Sequence, residues 1–321
     1  MPIEQELREA YKRSANMVMR PEQLDARISR QYAVQSIQKH LKKRASKKTW
    51  AIRIIVACVL LTSVGFSAPY LFQLKDKLIE YNVLPNRMNA YDNNLAEQVR
   101  ESIDLAKQEM QIGERGLYYS DNLKKLLPKT KLSPFLLITK PYVWEDQREW
   151  EEELTGAADL HLPGSLTDSL TFIGGQKEQP FGGFLSLDDM AFVKELELRS
   201  QERQRAETWM LLPKRAIEEF VFTTMYESEA DNRINITMEV FRDKTTIQML
   251  SDFNEQEQIR IGDQPATFVH SENFLFSNTD QYRALSWLDS RERDTVMYTV
   301  GSPAEDMTKL ELIHIAEQFI K

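Results

Sequence analysis

Cysteine is all but missing from this 321-residue chain; Cys58 is the only one. A lone thiol excludes an internal disulfide framework and any site built from several thiolates. Histidine is nearly as scarce: His40, His161, His270 and His314 stand isolated, and no His-Glu-x-x-His pair marks a zinc helix. No Gly-x-Ser-x-Gly elbow is present. The glycine pairs Gly174-Gly175 and Gly182-Gly183 are not completed by Gly-Lys-Ser/Thr or Gly-x-Gly-x-x-Gly, so they predict turns rather than a phosphate cradle. The acidic run around Glu145–Glu153 lacks calcium-loop spacing and predicts a solvated helix face. Asp188 and Asp189 are the sort of pair a hydrolase uses, yet their spacing does not single them out. No catalytic, cofactor or metal residue emerges, and the expectation is a protein that is not an enzyme and carries no cofactor.

Charge is missing from one stretch altogether. Ile54 to Leu74 is a run of 21 residues without an ionisable side chain, apart from Cys58 and Tyr70. At about 1.5 Å per residue a helix of that length matches the ~30 Å hydrocarbon layer. Trp50 on one flank and Tyr70 near the other suit the headgroup level, and Arg53 can reach back to it. A transmembrane helix over residues 50–74 is the expectation; a buried core helix is the competing one. A cleaved signal peptide fits poorly, because 49 residues precede Trp50 and Pro69 follows the small-residue stretch Gly65–Ala68.

The two sides of that run differ in charge. Residues 1–49 hold twelve Lys and Arg against five Asp and Glu, whereas residues 73–321 hold 28 against 44. Lys39, Lys42, Lys43, Arg44, Lys47 and Lys48 crowd one flank; the equivalent stretch on the other holds only Lys75, Lys77 and Arg87. The positive-inside bias then places the N-terminus in the cytoplasm and the C-terminal part outside, in a single-pass cell-membrane protein. Attraction to anionic membrane lipid accounts for the basic cluster without invoking nucleic acid.

In the inner part, Ile3, Leu7, Ala10, Tyr11 and Ala15 fall at helical spacing, and Leu24, Ile28, Tyr32, Ile37 and Leu41 mark a second stripe after Pro21. So few large apolar residues bury little alone, so the stripes need a partner: each other, the membrane surface or another protein. The run Pro21-Glu22-Gln23-Leu24-Asp25-Ala26-Arg27-Ile28, followed by the basic cluster, the uncharged run and a large outer part, resembles the membrane-anchored anti-sigma factors of Gram-positive, Bacillus-like bacteria. The His-x-x-x-Cys-x-x-Cys zinc site of many anti-sigma domains is missing, so the similarity is to zinc-free members. It implies a sigma factor of the extracytoplasmic-function class as partner, with Leu7, Tyr11, Leu24 and Ile28 as the binding residues, and an outer domain that senses the envelope.

Beyond the run, Met88, Tyr91, Leu95, Val99, Ile103, Ala106 and Met110 predict a helix, and residues 75–127 a helical stalk. Residues 128–321 predict an extracytoplasmic α+β domain. Ser133–Thr139, Leu166–Ile173, Phe220–Tyr226, Arg233–Phe241, Thr245–Leu250, Gln258–Ile261, Ala266–His270, Ala284–Leu288 and Thr295–Val300 are its strands; Leu187–Arg205 is helical. In Arg233–Phe241, Ile234, Ile236, Met238 and Val240 alternate with Asn235, Thr237, Glu239 and Phe241, as in a half-buried antiparallel strand with one face in water. Thr308-x-x-Glu311 opens a closing helix to Ile320. Leu285-Ser286-Trp287, Val296–Val300 and Lys309–Ile320 resemble, in order and spacing, the end of an uncharacterised exported domain appended to Bacillus-type anti-sigma factors and to some sporulation-associated membrane proteins. Trp287 and Tyr298 are expected as a cross-strand core pair. A membrane-anchored scaffold whose outer domain binds an envelope component is the alternative function, and an exported hydrolase a third.

Overall fold

A run of strands alternating in side-chain polarity must bury at least one face, and here the strands gather into three sheets. The computed structural model describes residues 53–57, 72–85, 92–126, 135–164, 166, 170–182, 184–186, 189–203, 207–213, 220–251 and 254–320. In chain order the elements are β1 (Arg53–Ala57), β2 (Phe72–Lys75), β3 (Ile79–Pro85), α1 (Asn93–Glu109), β4 (Glu114–Ser120), α2 (Asp121–Leu126), β5 (Phe135–Lys140), β6 (Val143–Trp144) and α3 (Gln147–Ala158). There follow β7 (Leu170–Gln176), β8 (Phe184–Ser186), α4 (Met190–Arg203), β9 (Glu207–Leu211), β10 (Val221–Ser228), β11 (Arg233–Phe241) and β12 (Thr245–Ser251). The chain ends with β13 (Glu255–Ile261), β14 (Gln264–Ser271), β15 (Tyr282–Ser290), β16 (Thr295–Ser302) and α5 (Lys309–Glu317).

The largest sheet has eight strands in the order β13-β14-β15-β16-β11-β10-β7-β6, antiparallel throughout. The architecture is therefore α+β, dominated by an antiparallel sheet. One face is apolar: Ile234, Ile236, Met238 and Val240 of β11 meet Phe222, Tyr226, Leu285, Val296 and Val300. Two helices close that face. Leu312, Ile315 and Ala316 of α5 pack there, and its N-terminus has the full capping box, Thr308 bonded to the Glu311 amide and Glu311 to the Thr308 amide. Trp287 and Tyr298 are register partners, stacked at 5.1 Å and 6°, as a cross-strand pair should be.

Trp150, Leu154 and Ala158 of α3 close the rest, and the indole Nε1 donates to Thr224 Oγ1 at 2.8 Å. This packing corrects the expectation for one glycine pair. Gly174 and Gly175 lie within β7, not in a turn, and a side chain at Gly175 would overlap the Trp150 ring. Close approach of an aromatic, not chain reversal, explains glycine there. Gly182, at φ 92°, does require the left-handed region. The acidic residues of α3 behave as expected: Glu149, Glu151 and Glu152 are exposed around a fully buried Trp150.

Residues 75–127 hold more than a stalk. α1 buries Ala96, Val99, Ile103 and Ala106 at helical spacing, with Asp92 capping the Leu95 amide. Its apolar stripe rests on Tyr118 of β4 and on Leu136 and Ile138 of β5. β4 is the centre of a three-stranded sheet, β5-β4-β9, with α4 also packed on β4 and β9. This stretch is thus woven into the same folded unit as the later strands.

The third sheet has the order β2-β3-β12-β1-β8, with β1 and β3 both parallel to β12. Here the structure departs from the sequence expectation. Both ends of the uncharged run are strands: Arg53–Ala57 pairs with β12 and β8, and Phe72–Lys75 with β3. The run Arg53-Ile54-Ile55-Val56 is rich in β-branched side chains, which suit a strand as well as a lipid-facing helix, so composition alone does not separate the two. Among the described residues no helix is long and apolar enough to cross a membrane; residues 58–71 lie outside them.

Candidate functional site

The second face of β11 was expected to meet water. It does not: Asn235, Thr237 and Glu239 are as buried as the isoleucines between them. The cover comes from β2, β3 and β12, whose Leu74, Ile79, Tyr81 and Ile247 pack on Phe241, Val269, Ala284, Leu288 and Met297. A polar face has thereby been enclosed between two layers, and each of its groups needs a partner.

Register supplies many of these partners. Gln258, Thr267, Ser286, Thr299, Thr237, Thr223 and Gln176 are successive cross-strand neighbours from β13 to β7, forming one polar stripe across seven strands. Within it Gln258 Nε2 donates to Thr267 Oγ1 at 3.0 Å, Ser286 and Thr299 hydroxyls pair at 2.9 Å, and Thr223 and Thr237 hydroxyls pair at 3.1 Å. At the deep end the stripe grips the loop 177–182. Thr223 Oγ1 donates to the Glu178 carbonyl at 2.7 Å, and Gln176 Nε2 to the Gln179 carbonyl at 3.0 Å. Phe181 of that loop joins Phe274, Phe276 and Tyr282 in an aromatic cluster.

Two positions along β11 on either side of the stripe, satisfaction fails. Asn235 is 1% exposed and neither side-chain atom has a hydrogen-bond partner. Glu239, opposite Met297, is 5% exposed. Burial pushes its carboxyl up to about 7; Gln179 reaches toward it and offsets part of that push, although its Nε2 forms no complete hydrogen bond. Tyr81 is buried and Tyr282 partly buried nearby, and the loss of water around them holds both phenols protonated well above their ordinary range. Chemically, the enclosed face offers one carboxyl that exchanges its proton near neutrality, two neutral phenols and two amides with unfilled bonding capacity.

The residues singled out by sequence lie elsewhere. Leu7, Tyr11, Leu24 and Ile28 are outside the described residues. Asp189 is buried and paired with Arg115 at 2.8 Å, an ion pair fastening the start of α4 to β4. Among the described residues no group of three or more His, Cys, Asp or Glu side chains is placed to hold a metal ion. His270 sits 3.4 Å from Gln281, and His161 beside Asp159, without a common centre. Glu239 was missed because a polar residue alternating with isoleucine looks like a solvent face. Comparison with models of protein families, with curated proteins and with solved structures found no match.

Proposed function

We propose that this chain is a single-pass membrane regulator of anti-sigma-factor type, its inner segment binding an extracytoplasmic-function sigma factor and its outer domain responding to the envelope. One observation carries this reading: an uncharged run at residues 54–74 divides a basic segment of 49 residues from an acidic domain. The short motif at Pro21–Ile28 and the spacing from Leu285 to Ile320 add the resemblance to that family. A 249-residue part with three apolar clusters and an enclosed polar stretch on β11 is a receiver of adequate size.

The reading has a structural consequence. Residues 53–57 cannot sit in β1 and in a lipid-spanning helix at once, so insertion requires them to leave the ladder with β12. β12 keeps its pairing with β3. The test has two arms. Residues 75–321 should be digested by protease added outside intact cells while residues 1–49 survive, and the chain should resist alkaline extraction from membranes. A chain found in the aqueous fraction without detergent overturns the reading. In the second arm, a sigma factor co-purifies with the full chain, and Leu24→Asp or Ile28→Asp abolishes its recovery. Replacement of residues 1–49 by an unrelated basic segment without loss of function would leave the scaffold as the better account.

A further inference from the structure

We infer that the loop 177–182 is a proton-controlled strap, held closed over the large sheet while Glu239 is protonated and released when Glu239 ionises. The inference does not depend on the membrane reading; it concerns residues 72–320 alone.

The geometry supplies a latch and a reason to open it. Glu239 lies on β11 between Val221 of β10 and Met297 of β16, beneath Gln179 of the loop and beside Tyr81 of β3. An ionised carboxylate at 5% exposure needs a cation, several donors or water. No ion pair reaches it among the described residues. Lys177 is spent on Glu153 and lies over the Trp144 ring, and Lys75 pairs with Glu80. Arg242 lies over Phe220, Arg291 bonds Asp289, and Arg260 stands four strands away at the sheet edge. Asp76, the acid of the covering turn, is already bonded to Ser290 and Thr295, and Tyr81 and Tyr282 are neutral. Glu178 belongs to the strap itself and Asp243 to the turn beyond β11; neither can compensate a negative charge.

Water therefore has to come in, and the cover with least holding it gives way first. Tyr81 belongs to a strand laddered on both sides, by β2 and β12. Among the described residues the strap has no such ladder; its holds include the Thr223 and Gln176 bonds to its carbonyls, Phe181 among its aromatic neighbours, and the Lys177–Glu153 pair. Gly182 at φ 92° sits against the Leu137 carbonyl of β5, at the downstream end of the segment, where the chain can pivot. Closure of the strap and retention of the proton are thus one equilibrium.

The test is hydrogen exchange of the purified full chain at pH 5.5 and pH 8, corrected for the intrinsic pH dependence of amide exchange. Protection of the amides of residues 177–179, 181 and 182 (residue 180 is proline) should fall at least tenfold at pH 8, while β15 and β16 stay protected; Glu239→Gln should keep the protection at both pH values. Equal protection of wild-type 177–182 at the two pH values overturns the inference, as does the same loss in Glu239→Gln. Should that variant fail to fold, carbon NMR of the wild-type glutamate carboxyls decides: one titration midpoint near 7 that moves in Gln179→Leu supports the strap, and midpoints all near the ordinary value overturn it.

Discussion

The two faces of β11 are equally buried and were built on opposite principles. On one side Ile234, Ile236, Met238 and Val240 are covered by helices and need only shape complementarity. On the other, Asn235, Thr237 and Glu239 are covered by strands and by the 177–182 loop, and each carries a bonding requirement that register meets only in part. The lesson is that burial by itself says little about stability: on the apolar face it stabilises, and on the polar face it stabilises only where a partner is supplied.

Substitutions can break that contrast. The largest effect belongs to the apolar face: Trp150→Ala removes a fully buried indole and its bond to Thr224, and should cost about 3–5 kcal/mol in urea unfolding. Next comes pH. The folded-state value of Glu239, about 7, lies above its ordinary 4.5, so the folded chain binds the proton more tightly than the unfolded one. Its contribution is fully present below pH ~4.5, is lost as pH rises towards 7, and is level above that, a swing on the order of 3 kcal/mol. Comparing urea midpoints of wild type and Glu239→Gln across that window isolates the term, since the variant lacks it. Thr223→Val, which strips the Thr237 and Glu178 partners, should cost about 1 kcal/mol. Asn235→Leu should sharpen the comparison from the other side. It discards two atoms without partners and should leave stability unchanged or raise it by about half a kcal/mol. Its thermal midpoint, read beside that of Ile236→Ala, tells whether polarity or volume governs each face.

What could be read in the sequence was local. The Thr308/Glu311 capping box and the Trp287–Tyr298 pair are set by residues close in the chain or by strict alternation, and both stand as expected. The polar stripe was not legible, because β11 lies between β10 and β16, so its partners are fixed by a topology that skips four strands. Nor was the enclosure of Glu239, since the Tyr81 beside it belongs to a stretch expected to be stalk. Gly175 misled for the same reason: the indole that demands it sits 25 positions earlier.

The outermost strand of the large sheet, β13, leaves one row of amides and carbonyls without a neighbour among the described residues. Such a row is a template on which another chain can grow. Its side chains Glu255, Glu257 and Arg260 are exposed, and any newcomer laid alongside must crowd those charges. The same seven residues written with valine at those places would make that border a seed for fibres, so three surface side chains far from the core guard this edge.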